Sequence, residues 1–171
     1  VTLPGGSPAV AAQITISDGS SNVVETFTGA DGVFAVPQVL SPQDYQIEAV
    51  LSSRGAQQTV ALAEVQNSLD VTLVLSAAGS TNARLLDANG AEVFGAMVTL
   101  TSESPYLVSR QGATAANGTV SFNDVPAGAF DVTFRHGTEI IQRVTRSGVV
   151  TTEGEVVSLG DVTLAPSTVL S

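Results

Sequence analysis

The chain has 171 residues, 43% apolar and 13% charged, with 16 acidic residues against six arginines, no lysine, cysteine or tryptophan, one histidine and a net charge of −10. That apolar fraction supports packed cores and argues against disorder, while the negative balance opposes binding to nucleic acid or an anionic membrane surface. The lack of cysteine removes disulfides, thiolate metal sites and a thiol nucleophile, and no apolar run approaches the ~18 residues of a membrane helix.

The first residue is Val1, with no basic, apolar leader, as expected of a processed chain or of a piece of something longer. Apolar and polar residues alternate at 11–16 (AAQITI), 45–50 (YQIEAV), 97–100 (MVTL), 119–122 (TVSF) and 130–134 (FDVTF). Period two predicts half-buried strands. Between them lie SDGSSN, GADG, SPQD, DANG, AANG and PAG, compositions that make turns. No helical period of useful length competes.

The second half restates the first. Gly32 matches Gly118 at an offset of 86, as do Phe34 with Val120, Val36 with Phe122 and Val39 with Val125. Beyond the next turn the offset is 85, pairing Tyr45 with Phe130 and Ile47 with Val132; upstream it is 84, pairing Gly6 with Gly90. Both copies close on DVTL, at 70–73 and 161–164. Offsets that drift only across loops predict two tandem modules, 1–77 and 78–171, in an all-β chain.

The module ends are complementary. The second opens with STNARLLDANG at 80–90, a strand entering a turn; at an offset of 84 Val1 answers Leu85, so the first module starts in mid-strand. After Leu164 the chain continues APSTVLS, and STVLS followed by VTLPGG overlays STNARLLDANG, with Ser167 on Ser80. The expected assembly residues are Val1, Thr2 and Leu3 on one side and Ser167, Thr168, Val169 and Leu170 on the other. They would act by backbone pairing, between repeats of a longer array or between copies that lend strands head to tail.

LLDANGAEVFGAMVTL and NGTVSFNDVPAGAFDVTF carry a D-x-x-G turn (Asp87, Gly90), Ala96 leading a strand, an Asn117-Gly118 hairpin and the series Val125, Pro126, Gly128, Phe130 and Val132. This pattern resembles the carboxypeptidase regulatory-like (transthyretin-like) domains repeated in bacterial surface and secreted proteins. The first module keeps Asp31-Gly32 but replaces the Pro-x-Gly turn with VLSPQDY. The resemblance implies two tandem antiparallel β-sandwiches, each of about seven strands in a Greek-key-like order, used as spacer, adhesive or assembly module. Related sandwiches carry lysine–asparagine isopeptide bonds or cysteine thioesters, chemistry this composition forbids.

Other candidate sites are sparse. His136, in RHGTE, has no partners for a triad or a zinc set. Asp87, Asn89 and Glu92, and Asp18 with Asn22, offer oxygens to calcium, but their spacing departs from the twelve-residue calcium loop and suits tight turns. Asn117-Gly118-Thr119 is formally a glycosylation sequon on a preferred turn dipeptide. Phe27, Phe34, Tyr45, Phe122, Phe130 and Phe134 fall mostly in alternating core positions, which leaves Phe94 and Tyr106 as candidates for a contact surface. The sequence therefore reads as a non-enzymatic structural protein without cofactors, extracellular or on a bacterial cell surface. Its partners are copies or repeats of itself, with a ligand- or carbohydrate-binding adhesin and an accessory spacer of a larger secreted protein as alternatives.

Overall fold

The computed structural model describes residues 1–20, 23–40, 42–64, 68–107, 109–137 and 141–165. The described residues form eleven strands: β1 Gln13–Ser17, β2 Val23–Phe27, β3 Gln43–Leu51, β4 Arg54–Leu62, β5 Ala78–Leu86, β6 Met97–Ser102, β7 Ser109–Ala113, β8 Thr119–Pro126, β9 Gly128–His136, β10 Gln142–Val150 and β11 Val156–Thr163. Among the described residues no helix is long and apolar enough to cross a membrane. The chain divides into two compact units, Val1–Ala77 and Ala78–Ser171.

Unit 2 is a complete sandwich. Sheet β10-β9-β6-β7 sends Val98, Leu100, Phe130, Val132 and Phe134 inward, and sheet β11-β5-β8 answers with Ala83, Leu85, Val120, Phe122, Val125 and Val162, all buried. The alternation visible in MVTL and FDVTF is this inner face. One pairing departs from the antiparallel pattern: β11 runs parallel to β5, with Val162 opposite Leu85. β8 carries a bulge opposite the Gly79/Ser80 step, where Asp124 adopts φ 56°.

Unit 1 has one four-stranded sheet, β2-β1-β3-β4, whose inner face presents Ile14, Ile16, Tyr45, Ile47 and Ala49. Leu73 and Leu75 pack onto it, with Phe34, Val36 and Val39 half-buried beside them. Phe27 departs from expectation: at 63% exposure it lies on the outer face, because β2 pairs Phe27 with Gln13 and alternation turns both away from the core.

Candidate functional site: an unfilled strand position

The two units repeat one another down to single hydrogen bonds. In unit 2 the buried Thr114 donates its hydroxyl to the Val93 carbonyl (2.6 Å) and accepts the Ala96 amide (3.0 Å). In unit 1 Thr28 does the same with Ala9 (2.5 Å) and Ala12 (2.8 Å). This threonine staple sits where β1 or β6 begins and satisfies two backbone groups that would otherwise be buried unpaired. Both staples escaped the sequence reading, although TGADG at 28–32 and TAANG at 114–118 carry them at the offset of 86.

The hairpin glycines match as well. Gly32 and Gly118 both have φ +73°, and each faces a carbonyl at close range. A Cβ on Gly118 would lie 2.5 Å from the Leu85 oxygen, and one on Gly32 would lie 2.4 Å from the Val1 oxygen. Leu85 and Val1 are thus structurally equivalent. The Leu85 amide donates to the Gly118 carbonyl at 2.8 Å, and the Val1 amino group donates to the Gly32 carbonyl at 2.7 Å. Continuing along the strand, Thr2 pairs in parallel with Val74 as Leu86 pairs with Thr163.

That ladder changes the repeat alignment at one point. The DVTL identity pairs Leu73 with Leu164, whereas Leu75 is the residue that donates to Thr2 as Leu164 donates to Leu86, both at 2.9 Å. The true match is displaced by two residues, so Leu73 answers Val162 and Leu75 answers Leu164, all four buried. A two-residue slip keeps every side chain on its face, which is why identity alone misplaced it.

β5 is the central strand of its sheet, with β11 on one side and β8 on the other. In unit 1, residues 1–3 fill only the end of that position. Against residues 119–126, which form β8, the equivalent residues 34–39 join no ladder among the described residues. The burial difference follows: Val120, Phe122 and Val125 are buried, while Phe34, Val36 and Val39 are half-buried. By these equivalences a strand continuing residues 1–3 backwards would run antiparallel to residues 34–39 and parallel to the chain approaching Leu73, as β5 does to β8 and β11.

The remaining candidates are placed as follows. Asp87 closes its D-x-x-G turn by accepting the Asn89 and Ala91 amides on one oxygen, both at 2.8 Å. Those bonds, the Ala91 amide foremost, hold its pKa below the ordinary aspartate value. Glu92 instead pairs with Arg84 at 2.5 Å, and that hydrogen bond lowers its pKa. The would-be calcium ligands Asp87, Asn89 and Glu92 therefore serve the turn and a cross-strand ion pair. Glu155, held by the Thr151 amide and hydroxyl and the Thr152 amide, is lowered for the same reason, the Thr151 amide bond being the largest cause. Asp18 caps Ser20 at 2.9 Å; Asn22 lies outside the described residues.

His136 is exposed at the end of β9, opposite Gln142. Asn117 accepts the Thr119 amide and hydroxyl at 3.2 and 2.7 Å and is exposed. Phe94 is 69% exposed in the β5–β6 connection, and Tyr106 is half-buried in the β6–β7 connection. Ser167, Thr168, Val169 and Leu170 lie outside the described residues.

No family model and no curated protein matches the chain. Among solved structures it is similar to the minor pilin GBS52 of the Gram-positive pathogen Streptococcus agalactiae, at 13% identity over 97% of this chain and 88% of that one, with a TM-score of 0.55. It is also similar to a streptococcal ancillary pilin, at 11% identity over 98% of this chain and 61% of that one, TM-score 0.53. For the Bacillus anthracis TIE protein the identity is 14% over 95% of this chain and 32% of that one, TM-score 0.46. This chain thus spans less than two thirds of the last two. At such identities the two pilins establish the fold, an all-β chain of sandwich type.

Proposed function

We propose that this chain is a non-enzymatic structural protein of the cell surface or extracellular space, a subunit or repeat unit of a fibre or stalk, joined head to tail by β-strand complementation. The observation that carries this reading is the equivalence of Val1 with Leu85, which sets residues 34–39 beside a central strand position that residues before Val1 or a donated strand would occupy. A sheet open at its middle leaves backbone donors and acceptors and an apolar strip that a donated strand satisfies. Supporting it, the two solved chains described above with TM-scores of 0.55 and 0.53 are named as pilins.

The segment at 165–171 suits the position. APSTVLS repeats the A-x-S-T of AGSTNAR at 78–84. In β5 the inward residues are Thr81, whose hydroxyl donates to the Val157 carbonyl at 2.8 Å, and Ala83. In a strand donated in that register, Thr168 and Leu170 take those two places. Across to β8, Thr81 pairs with Phe122 and Ala83 with Val120, so Thr168 would face Val36 and Leu170 would face Phe34.

Negative-stain electron microscopy of the full chain over a concentration series, beside a variant lacking residues 167–171, tests the reading. Filaments that vanish on truncation are expected. Isolated particles from both would overturn head-to-tail joining and favour a spacer role within a longer array.

A further inference from the structure

Unit 2 admits the chain at one end of a parallel strand pair and releases it at the other. The chain enters at Ala78, the first residue of β5, and leaves beyond β11 at Leu164. β5 and β11 are neighbours and run parallel through six register pairs, from Val156 opposite Ser80 to Thr163 opposite Leu86. Entry and exit therefore lie at opposite ends of the pair, about 20 Å apart along the strands. Tension between them slides β5 and β11 past each other, so the evenly spaced bonds of a parallel ladder are loaded together instead of breaking one at a time.

Both ends are fastened. At the entry the Ala78 amide donates to the Glu153 carboxylate at 3.1 Å, and the Ala78 carbonyl accepts the Gly154 amide at 2.9 Å. Next along, the Ser80 amide donates to the Glu155 carbonyl at 2.7 Å, and Gly79 lies so close to that carbonyl that a Cβ would stand 2.4 Å from it. At the exit the buried Leu164 donates its amide to the Leu86 carbonyl at 2.9 Å, and the Gln142 side chain donates to the Ala165 carbonyl at 2.7 Å. Between the ends, the buried Thr81 hydroxyl donates to the Val157 carbonyl at 2.8 Å. A buried hydroxyl needs a partner, and this one finds it on the neighbouring strand, where it adds a rung before the irregularity between Ser158 and Asp161.

We infer that β5 and β11 form a tension clamp: unit 2 resists stretching between Ala78 and Leu164 by shear of this pair, with Thr81 as its side-chain rung and residues 153–155 as its entry latch. The inference rests on the fibre reading for the source of the tension. In unit 1 the matching pair is short among the described residues, with the Thr2 amide on the Leu73 carbonyl and the Leu75 amide on the Thr2 carbonyl, both at 2.9 Å. A strand continuing residues 1–3 backwards would lengthen it, so a donated strand would be held in shear as well.

Single-molecule force spectroscopy on the full chain tests this, because the sequence has no cysteine and introduced pairs define the pulling points. Ala77→Cys/Ala165→Cys loads the pair in shear. Ala77→Cys/Thr152→Cys puts both handles at one end of it, since Thr152 is exposed just before β11 and the neighbouring Gly154 bonds Ala78, and so peels the strands apart. The clamp predicts an unfolding force at least about twofold higher in the first geometry at the same pulling speed, forced unfolding being governed by a rate. Thr81→Val keeps the shape of the side chain, removes the rung and should lower the force in the first geometry; an unchanged force would overturn the role of Thr81. Equal forces in the two geometries would overturn the clamp. The fibre reading is judged separately by microscopy: filaments with equal forces would leave that reading standing and sink this one, and unequal forces without filaments would do the reverse.

Discussion

Val125 and Val39 are the same residue at the same step of the repeat, yet one is fully buried in a strand and the other half-buried in a chain that joins no ladder. The sequences leading to them, TVSFNDV and VFAVPQV, alternate alike. What differs is the neighbour: β5 lies beside residues 119–126, and only residues 1–3 reach the equivalent place in unit 1. Strand propensity here is realised by the partner more than by the residues themselves.

The glycine pair sharpens that contrast most. Gly118→Ala combines a left-handed φ with a Cβ 2.5 Å from the Leu85 oxygen, in a strand held from both sides. It should destabilise unit 2 by about 2–4 kcal/mol. Gly32→Ala meets the same φ with a Cβ 2.4 Å from the Val1 oxygen and 3.2 Å from the Ala9 nitrogen and the Pro8 Cα. Its cost in unit 1 should be similar, about 2–4 kcal/mol. Residue-resolved hydrogen exchange reads both, and a much smaller loss for Gly32→Ala would show residues 1–3 to be less firmly held than β5.

Next in size, Val125→Ala should cost about 2–3 kcal/mol as a buried truncation, while Val39→Ala should cost well under about 1 kcal/mol in the dispersed chain. In assembled material the Val39 cost should rise toward that of Val125, because a donated strand completes its burial. Denaturant unfolding of dispersed and assembled protein makes the comparison.

The smallest stability effect separates Ala11 from Gly95. Both lie at the same staple, donating to the Thr28 and Thr114 carbonyls at 3.1 and 3.0 Å, with φ 56° and 71°. Ala11→Gly should therefore stabilise unit 1 by about 1 kcal/mol and Gly95→Ala should destabilise unit 2 by a similar amount. Opposite signs in thermal melts support the equivalence; the same sign would break it.

Acid should act on unit 2 as well. The folded-state pKa values of Asp87, Glu92 and Glu155 lie below their ordinary values of 3.8, 4.5 and 4.5. Their contribution is present above those ordinary values and is lost as pH falls through the folded ones. Exchange protection at 85–92 and 151–155 should decline below about pH 4 and recover on neutralisation.

Much of this architecture was legible because buried strands advertise themselves. β1, β3, β6 and β9 alternate plainly, since one face of each packs on a core. β4 and β10, RGAQQTVAL and QRVTRSGVV, show little alternation because each is the edge strand of its sheet and is held chiefly through its backbone. The candidate site was legible as spacing, Val1 on Leu85, but not as geometry: nothing in VFAVPQV reveals which strand belongs beside it. Phe27 was missed for a related reason, since which face a residue takes depends on register. The DVTL slip shows the converse, an identity that is real in sequence and displaced in space.

The most direct test of the central claim is amide hydrogen exchange at residues 34–39, with 120–125 as the internal reference, in dispersed chain and in assembled material. The account predicts rapid exchange at 34–39 in the dispersed chain, slow exchange at 120–125 in both, and protection appearing at 34–39 on assembly. Protection at 34–39 that already equals that at 120–125 in the dispersed chain, or exchange that stays fast in the assembly, would contradict it.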